Sequence, residues 1–516
     1  MSRSKRFANS VVFAYAYQAL LMVTGLWLTP FLLRHLGQHD YGLWLMGLQV
    51  LSYLMLTDFG IIGLLPRSVA YATGRAGSVK AATDLPEVIG QTAVIVLWQT
   101  AVVALAAFLV WTFLPGKWAA LKGPLGLMMA AFTMFFPVRI FPAVLEGLQE
   151  QAFVTRATMV AWGVSTAVNV MSVLAGLGLY SLAIGSILSQ ACTSAACLYR
   201  LRKHFPGTLP SRLPSVGVRQ AIPQLGRGFW VSSGQIGTSL LYGSDILILG
   251  KVMGPTLLVP YSCTAKLAGV LSNQPQLLMQ AAVPGLSELK AGSTKQRLHQ
   301  VTVSLTQGMM LISGLLFCVV LVVNKGFVDW WVGAERYAGF ALTCLILTQV
   351  IVRHFNLTFL YSVFCFGYER RLALTVLADG IVTASSIWFL SSRFGYLGAA
   401  AGSLVGAFLV GIPMNLVVLV KELDVPLSRL LSPLLPWFWR FVLTAGCCFG
   451  IVKIWSPHGV IQIALAGLLV SALYIGILAR ATMATPLGHL LRDLAMQFIG
   501  RFRKPKADLV MDEHRA

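Results

Sequence analysis

The chain has 516 residues, of which 57% are hydrophobic and only 11% are charged, and its mean hydropathy is +0.76. Soluble domains carry about 25% charged residues, so this composition excludes a soluble enzyme and indicates an integral membrane protein with many helices. The net charge of +21 does not indicate nucleic-acid binding, because the basic residues gather in loops on one side of the membrane.

Apolar segments of about 20–25 residues recur along the chain, and each is long enough to cross a bilayer as a helix. The first follows a short basic N-terminus and is too long for a signal-peptide core, so we expect it to be a membrane span. We predict fourteen spans, at residues 11–33, 41–64, 91–114, 124–147, 157–177, 180–199, 228–250, 256–284, 301–323, 339–366, 372–391, 398–420, 436–455 and 459–479.

The distribution of lysine and arginine predicts the orientation of these spans. Loops on the side of the N-terminus hold 27 of the 39 basic residues, and the opposite loops hold 8 when Lys453, near the outer end of the thirteenth span, is counted with them. Cytoplasmic loops carry such an excess, so both termini are expected in the cytoplasm. The tail at 480–516 is expected to begin with an amphipathic helix that lies on the anionic inner leaflet.

Two short motifs recur at nearly the same distance along the chain. The motif that begins at Gly147, after the fourth span, is repeated 220 residues later at Gly367. The motif that begins at Gly178 is repeated 217 residues later at Gly395. Because the offset equals six spans, we expect two lobes of six helices in the same orientation, related by an axis along the membrane normal. The predicted divisions are an N-lobe (1–199), a basic cytoplasmic linker (200–227), a C-lobe (228–420), two further helices (421–479) and the tail (480–516).

The fourth span contains an arginine, Arg139, between Pro137 and Pro142. A charged side chain at the centre of a membrane helix costs roughly 2.5–3.5 kcal/mol on insertion scales, so it rarely faces lipid. The prolines remove backbone donors and are expected to kink or loosen the helix. Arg139 is therefore either a structural residue paired with a neighbouring helix or an anion-binding cation inside a transport cavity.

Other ionisable side chains extend this pattern. Arg353 lies near mid-depth of the tenth span, which is equivalent in the repeat to the fourth span with its Arg139, and Lys266 lies in the eighth. Four spans carry polar residues at helical spacing, which predicts a water-lined, largely cationic cavity that attracts phosphate or carboxylate. The three acidic residues that are candidates either for ion coupling or for salt bridges are Asp58, Asp245 and Asp379. The cysteines and histidines show no metal-ligand spacing, so neither a metal nor another cofactor is expected.

Three motifs carry a resemblance to a known family. The first hairpin reads Leu36-Gly-Gln-His-Asp-Tyr-Gly, then Asp58-Phe-Gly, then Arg67-Ser-Val-Ala. Together with Gly147-Leu-Gln and the Gly178-Leu-Tyr-Ser-Leu-Ala-Ile-Gly entry into the sixth span, this resembles the polysaccharide-exporter branch of the MOP flippase superfamily, the Wzx-type O-antigen and exopolysaccharide flippases. The resemblance covers essentially the whole chain.

The resemblance implies an all-α, MATE-like membrane protein with a V-shaped cavity between its lobes, in the inner membrane of a bacterium. It implies a flippase that moves a polyprenyl-diphosphate-linked oligosaccharide to the outer leaflet, with Arg139, Lys266 and Arg353 binding the diphosphate and acidic sugars. Membrane lipids are expected partners, as are polymerase or chain-length proteins of the same pathway. The alternative is a multidrug/cation antiporter of the same superfamily, although acidic rather than basic residues would then be expected at mid-depth. An enzyme is disfavoured, because the longest outer loop, 324–338, offers no convincing acid–base pair.

Overall fold

The computed structural model describes residues 3–74, 81–215, 217–292, 294–483 and 488, and β-strands are absent from these residues. We number the α-helices in chain order. They are α1 (Arg3–Leu54), α2 (Ile61–Gly74), α3 (Ala81–Thr112), α4 (Ala119–Phe135), α5 (Ile140–Gly147), α6 (Gln151–Leu174), α7 (Tyr180–His204), α8 (Val218–Val252), α9 (Pro255–Gly292), α10 (Lys295–Val332), α11 (Phe340–Cys365), α12 (Glu369–Gly406), α13 (Ile412–Leu423), α14 (Leu427–Leu431), α15 (Leu435–Ile454) and α16 (Gly459–Met483).

Ten helical segments among the described residues are long and apolar enough to cross a membrane. Two of these, Val12–Asp58 and Glu369–Leu423, each cover two of the predicted spans in whole or in part, and the backbone at Gly37 and Gly395, where each segment turns, is not helical. The all-α membrane fold is thereby confirmed, and the number of fourteen spans stays a prediction. The amphipathic helix expected in the tail lies outside the described residues, apart from residue 488.

Three of the predicted element boundaries are corrected. The second span, predicted at 41–64, is interrupted after a 3-10 turn at Met55–Asp58, because Phe59 and Gly60 adopt left-handed conformations with φ of 46° and 66°. The fourth span, predicted at 124–147, is divided into α4 and α5 by a 3-10 turn at Pro137–Arg139. The expected outer loop at 324–338 is mostly helical, since α10 continues to Val332.

Residues with positive φ recur at the repeat distance. Gly37 and Gly254 have φ of 80° and 95°, and Gly178 and Gly395 have φ of 53° and 57°. Both pairs are 217 residues apart. Glycine adopts these angles without the steric cost that a side chain brings, so the turns between helices recur in register with the sequence motifs. This regularity supports duplication of a six-span unit, while the assignment of the lobes remains a prediction.

The helices cluster into two compact units. The first contains residues 1–262 and 369–406, and the second contains residues 263–368 together with the described residues from 407 onward. In the first unit α8 packs closely against α12, and α6 against α7. In the second unit α10 is central and packs against α11, α15 and α16. Most of the buried residues of α10 are apolar, as expected of a helix surrounded by others.

The α8–α12 contact of the first unit depends on two glycines. A Cβ placed on Gly380 would lie 2.7 Å from the carbonyl oxygen of Gly237, and one on Gly237 would lie 2.6 Å from the backbone nitrogen of Leu377. Real Cβ atoms do not approach backbone so closely, hence only glycine permits this separation of the helix axes. Membrane helices use small residues in this way to gain van der Waals contact.

Candidate functional site

Two interrupted helices of the first unit are joined by an ion pair. The interruption at Phe59 and Gly60 follows Asp58, whose side chain is 9% exposed and whose Oδ1 accepts a hydrogen bond of 2.9 Å from the backbone N–H of Gly60. The carboxylate thereby satisfies a donor that the interrupted helix leaves free. Gln99 of α3 donates to the backbone carbonyl of Asp58 at 3.0 Å. The backbone N–H of Gly60 and the backbone carbonyl of Asp58 are thus both hydrogen-bonded at this interruption.

The second interruption carries Arg139. Pro137 has no backbone N–H, and the chain there forms a 3-10 turn in which the N–H of Arg139 donates to the carbonyl of Phe136 at 3.3 Å. The loosening expected from the prolines is confirmed at this position. Irregular backbone at membrane depth is tolerated only where it is buried in protein or lines a water-filled cavity.

The guanidinium of Arg139 lies between an acidic group and two aromatic rings. Its Nη2 is 3.9 Å from Oδ2 of Asp58, and its Cζ is 5.6 Å from the ring centroids of both Phe132 and Phe136. Cations are attracted to ring faces at this range. Nη1 is buried and has no hydrogen-bond partner in the described part of the chain. The side chain is therefore held in place while it retains an unused donor, which a charge-assisted hydrogen bond to an anion would satisfy.

Asp58 and Arg139 form an ion pair in the structure, and ion coupling by Asp58 and anion binding by Arg139 stay predictions. The pair is a salt bridge at the limit of the 4 Å range, and it leaves part of the arginine free to bind a second acceptor. Sequence reasoning did not pair the two residues, because they are 81 positions apart and only packing brings them together.

Asp245 of α8 is held by two donors in the first unit. Its Oδ2 accepts from the hydroxyl of Tyr261 at 2.7 Å, and its Oδ1 accepts from its neighbouring backbone N–H at 2.9 Å. Tyr261 is 5% exposed and stacks with Tyr396 of α12 at 6.4 Å. A carboxylate with these donors is stabilised without a cation. The same group would lose its bond from Ile246 if it took up a proton on Oδ1.

Asp379 of α12 is also buried, at 1% exposure, and its Oδ1 accepts a hydrogen bond of 3.1 Å from Thr383 one turn later. A Cβ on Gly406 would lie 2.1 Å from Oγ1 of Thr383 and 2.5 Å from Oδ1 of Asp379. The glycine therefore leaves room for this polar pair. The structure places Asp245 and Asp379 beside different hydroxyl groups, Tyr261 and Thr383, and it brings Asp58 and Arg139 together.

Lys266 and Arg353 lie in the second unit. Arg353 of α11 is 5% exposed, and Lys266 of α9 is half-buried one turn after Cys263. Close to Lys266 in sequence, Thr264 accepts through its carbonyl from Asn324 at 3.0 Å and through its hydroxyl from the N–H of Ala338 at 2.8 Å. These bonds fix the first part of α9 against α10 and the segment that precedes α11.

The neighbour of Arg353 forms a polar link that sequence reasoning missed. His354 is 2% exposed, its Nε2 lies 3.1 Å from the carbonyl of Ser272, and its Nδ1 lies 2.6 Å from Oγ of Ser313. The carbonyl accepts only, so the proton is on Nε2 and the serine hydroxyl donates to Nδ1. This neutral imidazole connects α9, α10 and α11. A histidine next to an arginine in an apolar span was the available signal.

Known proteins and solved structures are similar to this chain in sequence or in fold. Residues 127–338 match the family model described as polysaccharide biosynthesis protein. The structure of lipid II flippase MurJ in an inward closed conformation superposes with a TM-score of 0.59 at 12% sequence identity, covering 92% of this chain and 100% of that one. An inward-facing multidrug resistance MATE family transporter of the MOP superfamily superposes with a TM-score of 0.58 at 11% identity, covering 81% of this chain and 99% of that one.

The chain has the MOP-superfamily fold. A MOP superfamily transporter from Pyrococcus furiosus, described by a reverse polarity of its binding pocket, superposes with a TM-score of 0.51 at 13% identity over 81% of this chain and 93% of that one. No curated protein matches the chain significantly in sequence. The family match and the MOP-superfamily fold together confirm the predicted resemblance to a polysaccharide exporter of this superfamily.

Proposed function

We propose that this protein is a MOP-superfamily flippase for a polyprenyl-diphosphate-linked oligosaccharide. It moves the carrier-linked glycan from the inner to the outer leaflet of a bacterial cytoplasmic membrane by alternating access, for synthesis of a surface or exported polysaccharide. Both termini lie in the cytoplasm. The polysaccharide biosynthesis match over residues 127–338 supports the substrate class, because this segment includes both Arg139 and Lys266.

The observation that carries the proposal is the unused, buried hydrogen-bond donor of the Arg139 guanidinium. A diphosphate has several acceptor oxygens and needs charge-assisted donors once it leaves water. Arg139 offers a buried donor at Nη1 that the described residues leave unused, beside an interrupted helix of the kind that lines transporter sites. A cationic drug would instead be repelled by this guanidinium.

Lys266 and Arg353, which lie in the second unit, are assigned to substrate binding, to neutralise the diphosphate and any acidic sugars, while the prenyl chain remains in lipid. The carboxylates of Asp58, Asp245 and Asp379 are assigned to ion coupling or to salt bridges. An anion bound to Arg139 would compete with Asp58 for the guanidinium. Substrate binding would therefore act most directly on the ion pair of Asp58.

The experiment that tests the proposal measures carrier-linked oligosaccharide in a strain that lacks the gene. The strain is complemented with the wild-type chain, with Arg139→Ala, with Arg353→Ala or with Arg440→Ala. Arg440 is a matched control, because it is an exposed arginine in a predicted span and donates within its own helix α15, to the carbonyl of Pro436 at 2.8 Å. Membrane levels of every variant are measured in parallel.

We expect the deletion to accumulate the carrier-linked repeat unit on the cytoplasmic side, with complementation by wild type and Arg440→Ala but not by the other two variants. If the deletion accumulates the intermediate and Arg139→Ala complements fully, the function stands and the assigned site is wrong. If polysaccharide export is unchanged and resistance to cationic drugs falls instead, the flippase proposal is wrong and the antiporter takes its place.

A further inference from the structure

A basic pocket lies in the second unit at the end of α9 and the start of α10. Its volume is about 190 Å³, and it is lined by three lysines, one glutamate and one leucine: Lys290, Lys295, Lys421, Glu422 and Leu298. A single water requires roughly 10–15 Å³ by the same measure, so the pocket has room for a group the size of a phosphate. Three ammonium groups against one carboxylate give its lining an excess of positive charge.

The acidic group of the pocket is already satisfied. Glu422 accepts from Lys290 through Oε2 at 2.5 Å and from the hydroxyl of Tyr368 through Oε1 at 2.5 Å. The ammonium of Lys290 also lies 4.8 Å from the ring centroid of Phe366. These contacts fix one wall of the pocket. They leave Lys290 with two N–H donors beyond the one given to Glu422.

The other two lysines are held weakly. Lys295 is 3.5 Å from Asp424, but their side chains are 64% and 81% exposed, so this surface pair contributes little. Lys421 is exposed on the last turn of α13. Both ammonium groups are therefore available to an anion that enters from the solvent side of the pocket.

The first turn of α10 makes an anion more favourable still. It begins at Lys295 after the N-cap Thr294, contains Arg297 as well, and has no acidic residue. Cations at a helix N-terminus oppose the helix dipole, which favours negative charge there. A bound anion would interact favourably with the dipole, with Lys295 and with the free backbone donors of the turn.

We propose that this pocket binds the phosphate of an anionic phospholipid headgroup. The segments that form it, 285–300 and 421–435, are both cytoplasmic loops in the predicted topology, where basic pockets between membrane helices meet anionic headgroups. The site is separate from the residues assigned to the transported substrate. It would stabilise the α9–α10–α13 contact of the second unit whenever anionic lipid is present.

The test measures lipid binding to the purified full-length chain in detergent by native mass spectrometry, with short-chain phosphatidylglycerol or phosphatidylcholine. The variant is Lys295→Gln with Lys421→Gln, two exposed positions whose substitution leaves the Lys290–Glu422 contact in place. The control is Lys325→Gln, an exposed lysine of α10 at the opposite end of the same helix. Inorganic phosphate is added as a competitor in a separate series.

We expect phosphatidylglycerol to bind more tightly than phosphatidylcholine, and the double variant to lose about tenfold or more in affinity for it, since each basic residue near a membrane surface contributes to anionic-lipid attraction. The Lys325→Gln control should bind as wild type, and inorganic phosphate should compete. Equal affinity for the two lipids, or an unchanged affinity in the double variant, would overturn the proposal. Binding of inorganic phosphate without binding of phosphatidylglycerol would keep the phosphate chemistry and overturn the headgroup as its source.

Discussion

The coupling between Asp58 and Arg139 gives the sharpest prediction. At 3.9 Å and an effective dielectric constant of about 20, two unit charges attract by about 4 kcal/mol. Desolvation of both groups offsets part of this energy, since the side chains are only 9% and 27% exposed. We therefore expect a coupling free energy of roughly 2 kcal/mol between the two side chains.

Asp58→Asn keeps the shape and the acceptor for the N–H of Gly60, but it removes the charge that faces Arg139. We expect Asp58→Asn and Arg139→Gln each to lower the free energy of unfolding by roughly 3 kcal/mol, because each leaves a largely buried charge without its partner. The double variant should lose roughly 2 kcal/mol less than the sum of the single losses.

The assay is reversible unfolding of the purified full-length chain by titration with SDS in mixed micelles, with far-UV circular dichroism as the readout. Arg440→Gln serves as the control and should change the free energy by no more than about 0.5 kcal/mol, as most exposed substitutions do. Strictly additive losses for Asp58→Asn and Arg139→Gln would refute the reasoning, because they would mean that the two charges do not interact in the folded state.

Three further predictions concern helix packing and can be checked by the same titration. Gly380→Ala should lower the free energy of unfolding by about 1–3 kcal/mol, because the added Cβ would meet the carbonyl of Gly237. In the control Gly63→Ala the added Cβ meets nothing within 4 Å, so this substitution should be neutral or slightly stabilising. Equal effects of the two substitutions would contradict the close contact of α8 and α12. His354→Ala should cost about 2–4 kcal/mol, since it removes a buried ring and leaves the buried hydroxyl of Ser313 without this acceptor, and a loss below about 1 kcal/mol would show that the three-helix link is not formed. Asn415→Ala removes the amide that donates to α11 at 2.8 Å and should cost about 0.6–1.7 kcal/mol, with a smaller loss arguing against that bond.

The interrupted helices show where sequence reasoning was sufficient and where it was not. Pro137 made the loosening of the fourth span predictable, because a residue without an N–H cannot complete the helix. The interruption at Phe59 was not predictable in the same way. Phenylalanine rarely adopts a left-handed φ, and it does so here because Asp58 caps the break and Gln99 holds the carbonyl behind it.

The polar residues that recur at helical spacing in the spans were also predictable only in part. Spacing alone predicted that Asp245 and Asp379 lie on water-lined faces of their helices. In the structure both carboxylates accept hydrogen bonds. Thr383, the partner of Asp379, lies one turn later on the same helix, at the spacing that the sequence shows. The partner of Asp245 was beyond prediction, because Tyr261 is contributed by another helix, and packing decides which neighbour a polar residue of an apolar span meets.

The sequence by itself determined that the chain is a helical membrane protein, since about 20 apolar residues in a row can satisfy their backbone in lipid only as a helix. It also determined the predicted orientation, through the excess of lysine and arginine in alternate loops, and the resemblance to polysaccharide exporters, through short motifs at the helix ends. Only the tertiary structure decided that Arg139 meets Asp58, that His354 connects three helices and that three lysines share one pocket. These arrangements join residues far apart in the chain, and their geometry depends on how the helices pack rather than on any local pattern.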